Sequence, residues 1–185
     1  MEESEEHEIL RRAAGGDQTA FGLIFARYQR LVFSFAYRLV GSSAIAEEIS
    51  QECFLALLQA APRFDPARGR LATFAYATVR NLARNHLRRQ NPGLEEADEP
   101  VVWDTGADEL LRKELREVVQ RAIAALPLAQ REAIVLFEYE ELSLAEIAEV
   151  LNIDANAVKA RLHRARANLK TMLAGYAGQP GDNHR

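Results

Sequence analysis

Apolar residues recur along most of this chain at steps of three and four, the spacing of a single helix face, and the alternation of a half-buried strand is almost absent. The periodicity predicts helices over about 8–15, 17–40, 43–60 and 70–90, and again near 108–125, 128–139, 143–151 and 155–173. Phe21, Ile24, Phe25, Tyr28, Leu31, Val32, Phe35 and Leu39 form one long core stripe. Gly41 with Ser42 and Ser43 ends that helix, Pro62, Asp65, Pro66 and Gly69 make a loop, and Pro127 separates two later helices. No internal repeat is visible. The pattern is that of an all-α protein.

The stretch from Leu142 to Lys170 carries the most information. Ser143 and Glu146 form an S-x-x-E capping box, in which side chain and backbone satisfy each other at a helix start. Leu144, Ile147, Ala148 and Leu151 follow at helical spacing, with Ala148 small where a second helix must cross closely. Asn152 tolerates the left-handed conformation that ends a helix, Ile153 fills the turn, and Asp154 or Asn156 can cap the next helix. That helix has no acid between Ala155 and Leu173 but carries Lys159, Arg161, Arg164, Arg166 and Lys170. Val158, Leu162, Ala165 and Leu169 mark its buried stripe, which leaves Lys159, His163 and Arg164 on an exposed side. A capped helix-turn-helix with a basic second helix fits the major groove of DNA, where basic side chains meet phosphates and guanine edges. A helical hairpin with a solvated basic face is the plainer reading.

Charge divides the chain more sharply than its net value of -4 suggests. Pro66 to Asn91 contains no acid, but holds Arg68, Arg70, Arg80, Arg84, Arg88 and Arg89. Pro92 to Leu110 contains no base, but holds Glu95, Glu96, Asp98, Glu99, Asp104, Asp108 and Glu109, with Pro92, Gly93, Pro100 and Gly106 among them. The expected organisation is an acidic segment and first helix over 1–14, a helical domain over 15–91, an acidic linker over 92–107, a helix-turn-helix domain over 108–174 and a disordered tail over 175–185. The linker either shields the basic surfaces from random DNA or serves only as a solvated spacer. Any affinity for nucleic acid must come from local patches, because the whole chain is acidic.

The remaining composition narrows the class. No apolar run is long enough to span a bilayer, and Met1 to Glu8 is acidic where a signal peptide would be basic. The single cysteine, Cys53, excludes an intramolecular disulfide and a multi-cysteine zinc site. It falls in helical register with Ile49 and Leu57 and reads as a packing residue. A cytoplasmic protein is expected. No Ser/His/Asp arrangement, phosphate loop or metal-ligand cluster is present, and His7, His86, His163 and His184 are scattered, so neither catalysis nor a cofactor is expected.

Two helices of the first half carry further chemistry. On the third, Ile45, Ile49 and Phe54 face inward, while Glu48, Gln51 and Glu52 share an outer face at i, i+3 and i+4. That face suits docking on a basic helical partner and equally describes a solvated surface. On the fourth, Leu71, Phe74, Thr78 and Leu82 form the inner stripe. Arg80, Arg84 and Arg88 repeat every four residues on another face, beside Tyr76, Asn81 and Asn85. Arginines that track a backbone, a ring that stacks and amides that read base edges suit single-stranded DNA. Phe74 is expected in the core and Tyr76 as the stacking ring. The loop from Arg63 to Arg70 offers a place for an unstacked base.

These residues also resemble a known family. Ala46 to Leu55 (AEEISQECFL) resembles the AEDLVQEVFL helix of extracytoplasmic-function sigma factors of the sigma-70 family. Thr73 to Ala83, followed by Asn85-His86-Leu87-Arg88-Arg89, resembles their TWLYRIARNLA-DHLRR helix. Leu126-Pro127, Gln130-Arg131-Glu132, Leu142-Ser143, Glu146-Ile147-Ala148 and Val158 to Arg166 resemble their fourth conserved region, and Gly16-Asp17 with Ala20-Phe21 their opening GD-x-x-AF. The likeness runs over about 15 to 173, in the family's order. Phe74 stands for the usual tryptophan, Asn85 for an aspartate, Glu48 for an aspartate, Asn152 and Asn156 for frequent glycines, and Ala157 for a threonine.

The resemblance implies a transcription initiation factor with two small helical domains. Glu48, Gln51 and Glu52 would dock on the clamp helices of the largest catalytic subunit of core RNA polymerase, and the second-largest subunit's flap would be a further contact. Arg63, Arg68, Arg70, Tyr76, Arg80, Asn81, Arg84, Asn85 and Arg88 would melt and read the −10 element as single strand. Asn156, Lys159, Ala160, Arg161, His163, Arg164 and Arg166 would read the −35 element as duplex. Promoter DNA and an anti-sigma factor are the other implied partners, with no membrane insertion. A stand-alone helix-turn-helix regulator is the alternative, and it leaves the motifs of the first half unexplained.

Overall fold

A computed structural model describes residues 3–90 and 112–177. The expected acidic linker and the end of the tail lie outside the described residues. Among the described residues eight α-helices follow in order: α1 Glu3–Ala14, α2 Gln18–Val40, α3 Ser43–Ala60, α4 Leu71–Gln90, α5 Arg112–Ala124, α6 Leu128–Glu138, α7 Leu144–Leu151 and α8 Ala155–Ala177. Two 3₁₀ turns, Ala61–Arg63 and Pro66–Arg68, lie between α3 and α4. No strand occurs among the described residues.

The first half is built from capped helices around one apolar centre. Asp17 caps α2, its carboxylate accepting from the backbone N–H of Thr19 and Ala20, each at 3.0 Å. These bonds, with Arg12 beside it, hold the Asp17 carboxyl below its ordinary range. Gly41 ends α2 at φ 75°, a conformation glycine adopts without strain, and its N–H donates to the Tyr37 carbonyl. Ile24, Tyr28, Val32, Phe35 and Leu39 of α2 meet Ile49, Cys53 and Leu57 of α3 and Leu71, Ala75, Val79 and Ala83 of α4. Each large apolar side chain so buried contributes about 1.5–3 kcal/mol.

α1 begins five residues earlier than the apolar pattern predicts. Its Glu6 is buried, and burial is tolerated because the carboxylate accepts from the Tyr28 hydroxyl at 2.9 Å and pairs with Arg27 Nε at 2.7 Å. An acidic run thus contains one residue with an interior role.

In the second half α6, α7 and α8 enclose a smaller apolar group of Val135, Ile147, Leu151, Val158, Leu162 and Ala165. Its hub is Arg131, a fully buried arginine. The guanidinium donates to the carbonyls of Leu39 at 2.7 Å, Leu126 at 3.0 Å and Ala124. Burial lowers its pKa to about 10, so it stays charged at neutral pH. One of those carbonyls belongs to α2, which ties the two halves through a single side chain.

The halves do not stand apart. Their buried residues form one connected cluster, with α6 against α2 and α7 against α4.

Candidate nucleic-acid interface

The turn between α7 and α8 is built as the pattern implies. Ser143 and Glu146 complete the reciprocal capping box, with the Ser143 N–H donating to Glu146 at 2.9 Å and the Glu146 N–H to the serine hydroxyl at 3.3 Å. The Ser143 hydroxyl, donating to the Glu146 carboxylate at 2.7 Å, and the Ser143 N–H together lower that carboxyl below its ordinary pKa. Asn152 adopts φ 52° and ψ 52° at the end of α7. Of the two capping candidates for α8, Asp154 takes the role, accepting from the N–H of Asn156 and Ala157 at 2.8 and 2.9 Å.

α8 presents Asn156, Lys159, Ala160, His163 and Arg164 to solvent, with Val158, Leu162 and Ala165 inward. Arg161 is half-buried. Arg166 is turned back onto its own half, paired with Glu138 at 2.9 Å and lying over the Phe137 ring at 5.0 Å. It braces α8 on α6 in this form. Leu169 is only partly buried, and α8 runs to Ala177, beyond the expected end at 173.

On α3, Glu48, Gln51 and Glu52 are exposed as their spacing requires. The sequence reading missed what lies next to them. A groove of about 770 Å³ runs between α2 and α3, lined by Phe21, Phe25, Phe33, Phe54, Leu55 and Leu58, with Arg30, Glu47 and Gln51 among its polar lining residues. Phe25 is 41% exposed and Leu55 58%. The signal was present in α2: an eight-residue apolar stripe is wider than one core-facing side needs, and Phe25 serves this second side instead.

The fourth helix departs most from expectation. Tyr76, expected as an outward stacking ring, is 3% exposed. Its ring packs edge-on to Phe35 at 5.2 Å, and its hydroxyl donates to Glu140 at 2.8 Å. Burial and the Glu140 carboxylate together push the phenol's pKa up. Phe74, expected in the core, is partly buried against it and also lines a second groove with Phe64, Arg63, Asp65, Gly69, Arg70 and Thr73. The physical reason for the exchange is the second half of the chain: α7 and the turn before it cover the Tyr76 side of α4, so the ring finds an apolar wall and a carboxylate there.

The arginines follow the same logic. Arg84 grips Glu132 with two bonds, at 2.5 and 2.9 Å, and Arg80 approaches the same carboxylate at 3.2 Å. Arg70 pairs with Glu146 at 2.9 Å. Arg38 of α2 reaches Glu140 at 3.4 Å and lies over the Tyr139 ring at 4.4 Å. Asn81, Asn85 and Arg88 are exposed, Arg88 donating to Asn85 at 3.0 Å. Arg63 is exposed beside the second groove, and Arg68 sits in the Pro66–Arg68 turn. Among the described residues no group of three or more His, Cys, Asp or Glu is placed to hold a metal, and no helix is long and apolar enough to cross a membrane.

Among the described residues the frame is all-helical, and its exposed acidic face, arginine-lined helix and capped helix-turn-helix are the arrangement expected of a transcription initiation factor. Comparison with known proteins makes this specific. Residues 24–92 match the family description "Sigma-70 region 2", and residues 116–169 match "Sigma-70, region 4". The chain is 32% identical to the ECF RNA polymerase sigma factor SigW of Bacillus subtilis, over 89% of this chain and 94% of that protein. It is 34% identical to the ECF RNA polymerase sigma-E factor of Escherichia coli K12, over 85% and 88% respectively. The solved structure of CnrH in complex with the cytosolic domain of CnrY superposes with a TM-score of 0.69 at 26% identity, covering 92% of this chain and 97% of CnrH. The chain belongs to the extracytoplasmic-function sigma factors of the sigma-70 family. It is an alternative sigma factor, which directs RNA polymerase to promoters.

Proposed function

We propose that the surfaces described above divide promoter recognition among themselves. Glu48, Gln51 and Glu52, with the apolar groove beside them, dock on the clamp helices of the largest polymerase subunit. The groove supplies buried area and the carboxylates supply register against a basic partner. The second half contacts the flap of the second-largest subunit. α8 enters the major groove of the −35 element with Asn156, Lys159, Ala160, His163 and Arg164, while Arg161 and Arg166 reach phosphates at its edge. α4 and the preceding loop take the opened −10 strand: Arg63, Arg68, Arg70, Arg80, Arg84 and Arg88 follow its backbone, and Asn81 and Asn85 meet base edges. Phe74, beside the second groove, replaces Tyr76 as the stacking ring in this reading. The chain acts where polymerase acts, in the cytoplasm, and contributes no catalysis of its own. An anti-sigma factor is proposed as its regulator, on the analogy of CnrH held by a cytosolic domain of CnrY.

The observation that carries the proposal is the exposed row Lys159, His163 and Arg164 on a helix whose cap, turn and buried stripe are all in place. The test is transcription by core polymerase from a pool of genomic fragments of the source organism, with and without this chain. New promoter-specific transcripts are expected, reduced by the Gln51→Ala/Glu52→Lys pair in step with weaker core binding. Specific duplex binding with no change in transcripts would instead establish a stand-alone regulator.

A further inference from the structure

α1 packs on both 3₁₀ turns of the loop between α3 and α4, as well as on α2 and α3. His7 of α1 meets Phe64 of that loop edge-to-face, with ring centroids 5.7 Å apart and planes at 68°. Phe64 meets Phe74 of α4 in the same manner, at 6.0 Å and 65°. Phe64 and Phe74 both line the second groove, of about 380 Å³. Local bonds shape the loop's backbone: the Phe64 N–H donates to the Ala60 carbonyl at 2.9 Å, and the Asp65 carboxylate accepts from the Ala67 N–H at 3.0 Å. Neither bond fixes the Phe64 ring, which is only partly buried and whose angle depends on its two aromatic neighbours. His7 is itself held in place. The residue before it, Glu6, is buried against Tyr28 and Arg27 of α2, and Leu10, one turn on, is wholly buried. Helix ends fray unless they are tied, and this first turn is tied. The next residue lies about 100° round the helix from Glu6, and there His7 meets the loop.

We propose that α1 sets base selectivity at a distance from DNA: Glu6 fixes its first turn on α2, and His7 then holds Phe64 as a firm wall of the groove that receives an unstacked base of the −10 strand. The inference rests on the reading of that groove as the seat of an opened-strand base. His7 is a positioning residue and acts only through Phe64. A wall ring held at one angle admits one base shape, whereas a ring free to turn adapts to several, and adaptable surfaces discriminate poorly. The interior carboxylate of Glu6 has its use here. Its two polar partners specify one register of α1 on α2, and the register decides whether His7 reaches the loop.

The test uses holoenzyme, core polymerase loaded with the full chain, and a promoter fragment whose −10 element is randomised and mispaired so that no melting step enters. Sequencing the bound DNA gives the preference among the four bases at each position. Phe64→Ala should flatten the preference at one position. His7→Ala should lower selectivity at that same position by about two- to tenfold, the measure of one aromatic pair. The other positions and core binding should be unchanged. His7→Phe, which keeps a ring, should restore the preference to within about twofold of wild type. Glu6→Gln, which keeps the Tyr28 bond and loses the Arg27 ion pair, should lower the same preference. His7→Ala/Phe64→Ala should be no flatter than Phe64→Ala alone, because both act through one ring. A wild-type preference in His7→Ala would overturn the proposal, as would a loss spread evenly over all positions or a failure of His7→Phe to rescue. A wild-type preference in Glu6→Gln would overturn the part given to Glu6. If Phe64→Ala itself flattens nothing, the groove is not the seat of a base, and that reading falls together with the role of α1. If Phe64→Ala flattens one position and His7→Ala does not, the reading of the groove stands and the role of α1 alone is lost.

Discussion

At the scale of single residues, three side chains carry consequences that simple chemistry can check. Cys53 is fully buried between α2, α3 and α4, and desolvation pushes its thiol up to about 12. A thiolate is then almost absent at pH 8, so the native protein should react with a disulfide reagent only at its unfolding rate, and at once in denaturant. Arg131 holds three carbonyls from two halves. Arg131→Leu leaves them without donors and should cost about 3 kcal/mol or more, seen as a melting temperature lower by roughly 6–12 °C. Glu140 has a carboxyl raised above 4.5 because burial outweighs the Tyr76 hydroxyl of α4 and the Arg38 guanidinium of α2 that face it. A raised native pKa means the folded state holds its proton longer than the unfolded chain does. The stability tied to that proton is present at low pH and lost as pH rises through the native value. The melting temperature of Glu140→Gln relative to wild type should therefore climb as pH goes from 4.5 toward neutrality; a flat difference would refute the assignment.

At the scale of elements, α7 and its turn hold the clearest local tests. Ser143→Ala removes one side of the capping box and should cost about 1 kcal/mol in thermal or urea unfolding. Asn152→Val forces a branched side chain into φ 52° and should cost about 1–2 kcal/mol, while Asn152→Gly should be nearly neutral. These features were legible in the sequence because capping and left-handed ends are set by neighbours three or four residues away. The same locality explains why the bounds of α2, α3, α4 and α6 fall within about a residue of the apolar periodicity. α1 was misjudged at its start because Glu6 is satisfied by Tyr28 and Arg27, more than twenty positions along the chain, and no local pattern announces such a pair. The α2–α3 groove was hidden for a related reason: Phe25 and Leu55 look like core residues until the neighbouring helix is placed.

At the scale of the whole molecule, the face of Glu48, Gln51 and Glu52 and the outer row of α8 were readable because each lies on one helix. The fate of α4 was not. Tyr76 meets Glu140 across 64 positions and Arg84 meets Glu132 across 48, so the ring expected outside is inside and the ring expected inside lines a groove. A docking of halves depends on shape and on charges far apart in sequence, and periodicity carries no record of it. The shared apolar cluster has a last consequence, which is thermal. Two bodies that merely hang on a tether melt separately, whereas bodies that bury surface against each other, with Arg131 clamped on the end of α2, melt as one cooperative unit. Scanning calorimetry of the free protein should therefore give a single peak whose calorimetric and van't Hoff enthalpies agree. Variants that part the halves should show two peaks, the smaller and earlier one belonging to the helix-turn-helix, which alone has too little interior to last to the same temperature.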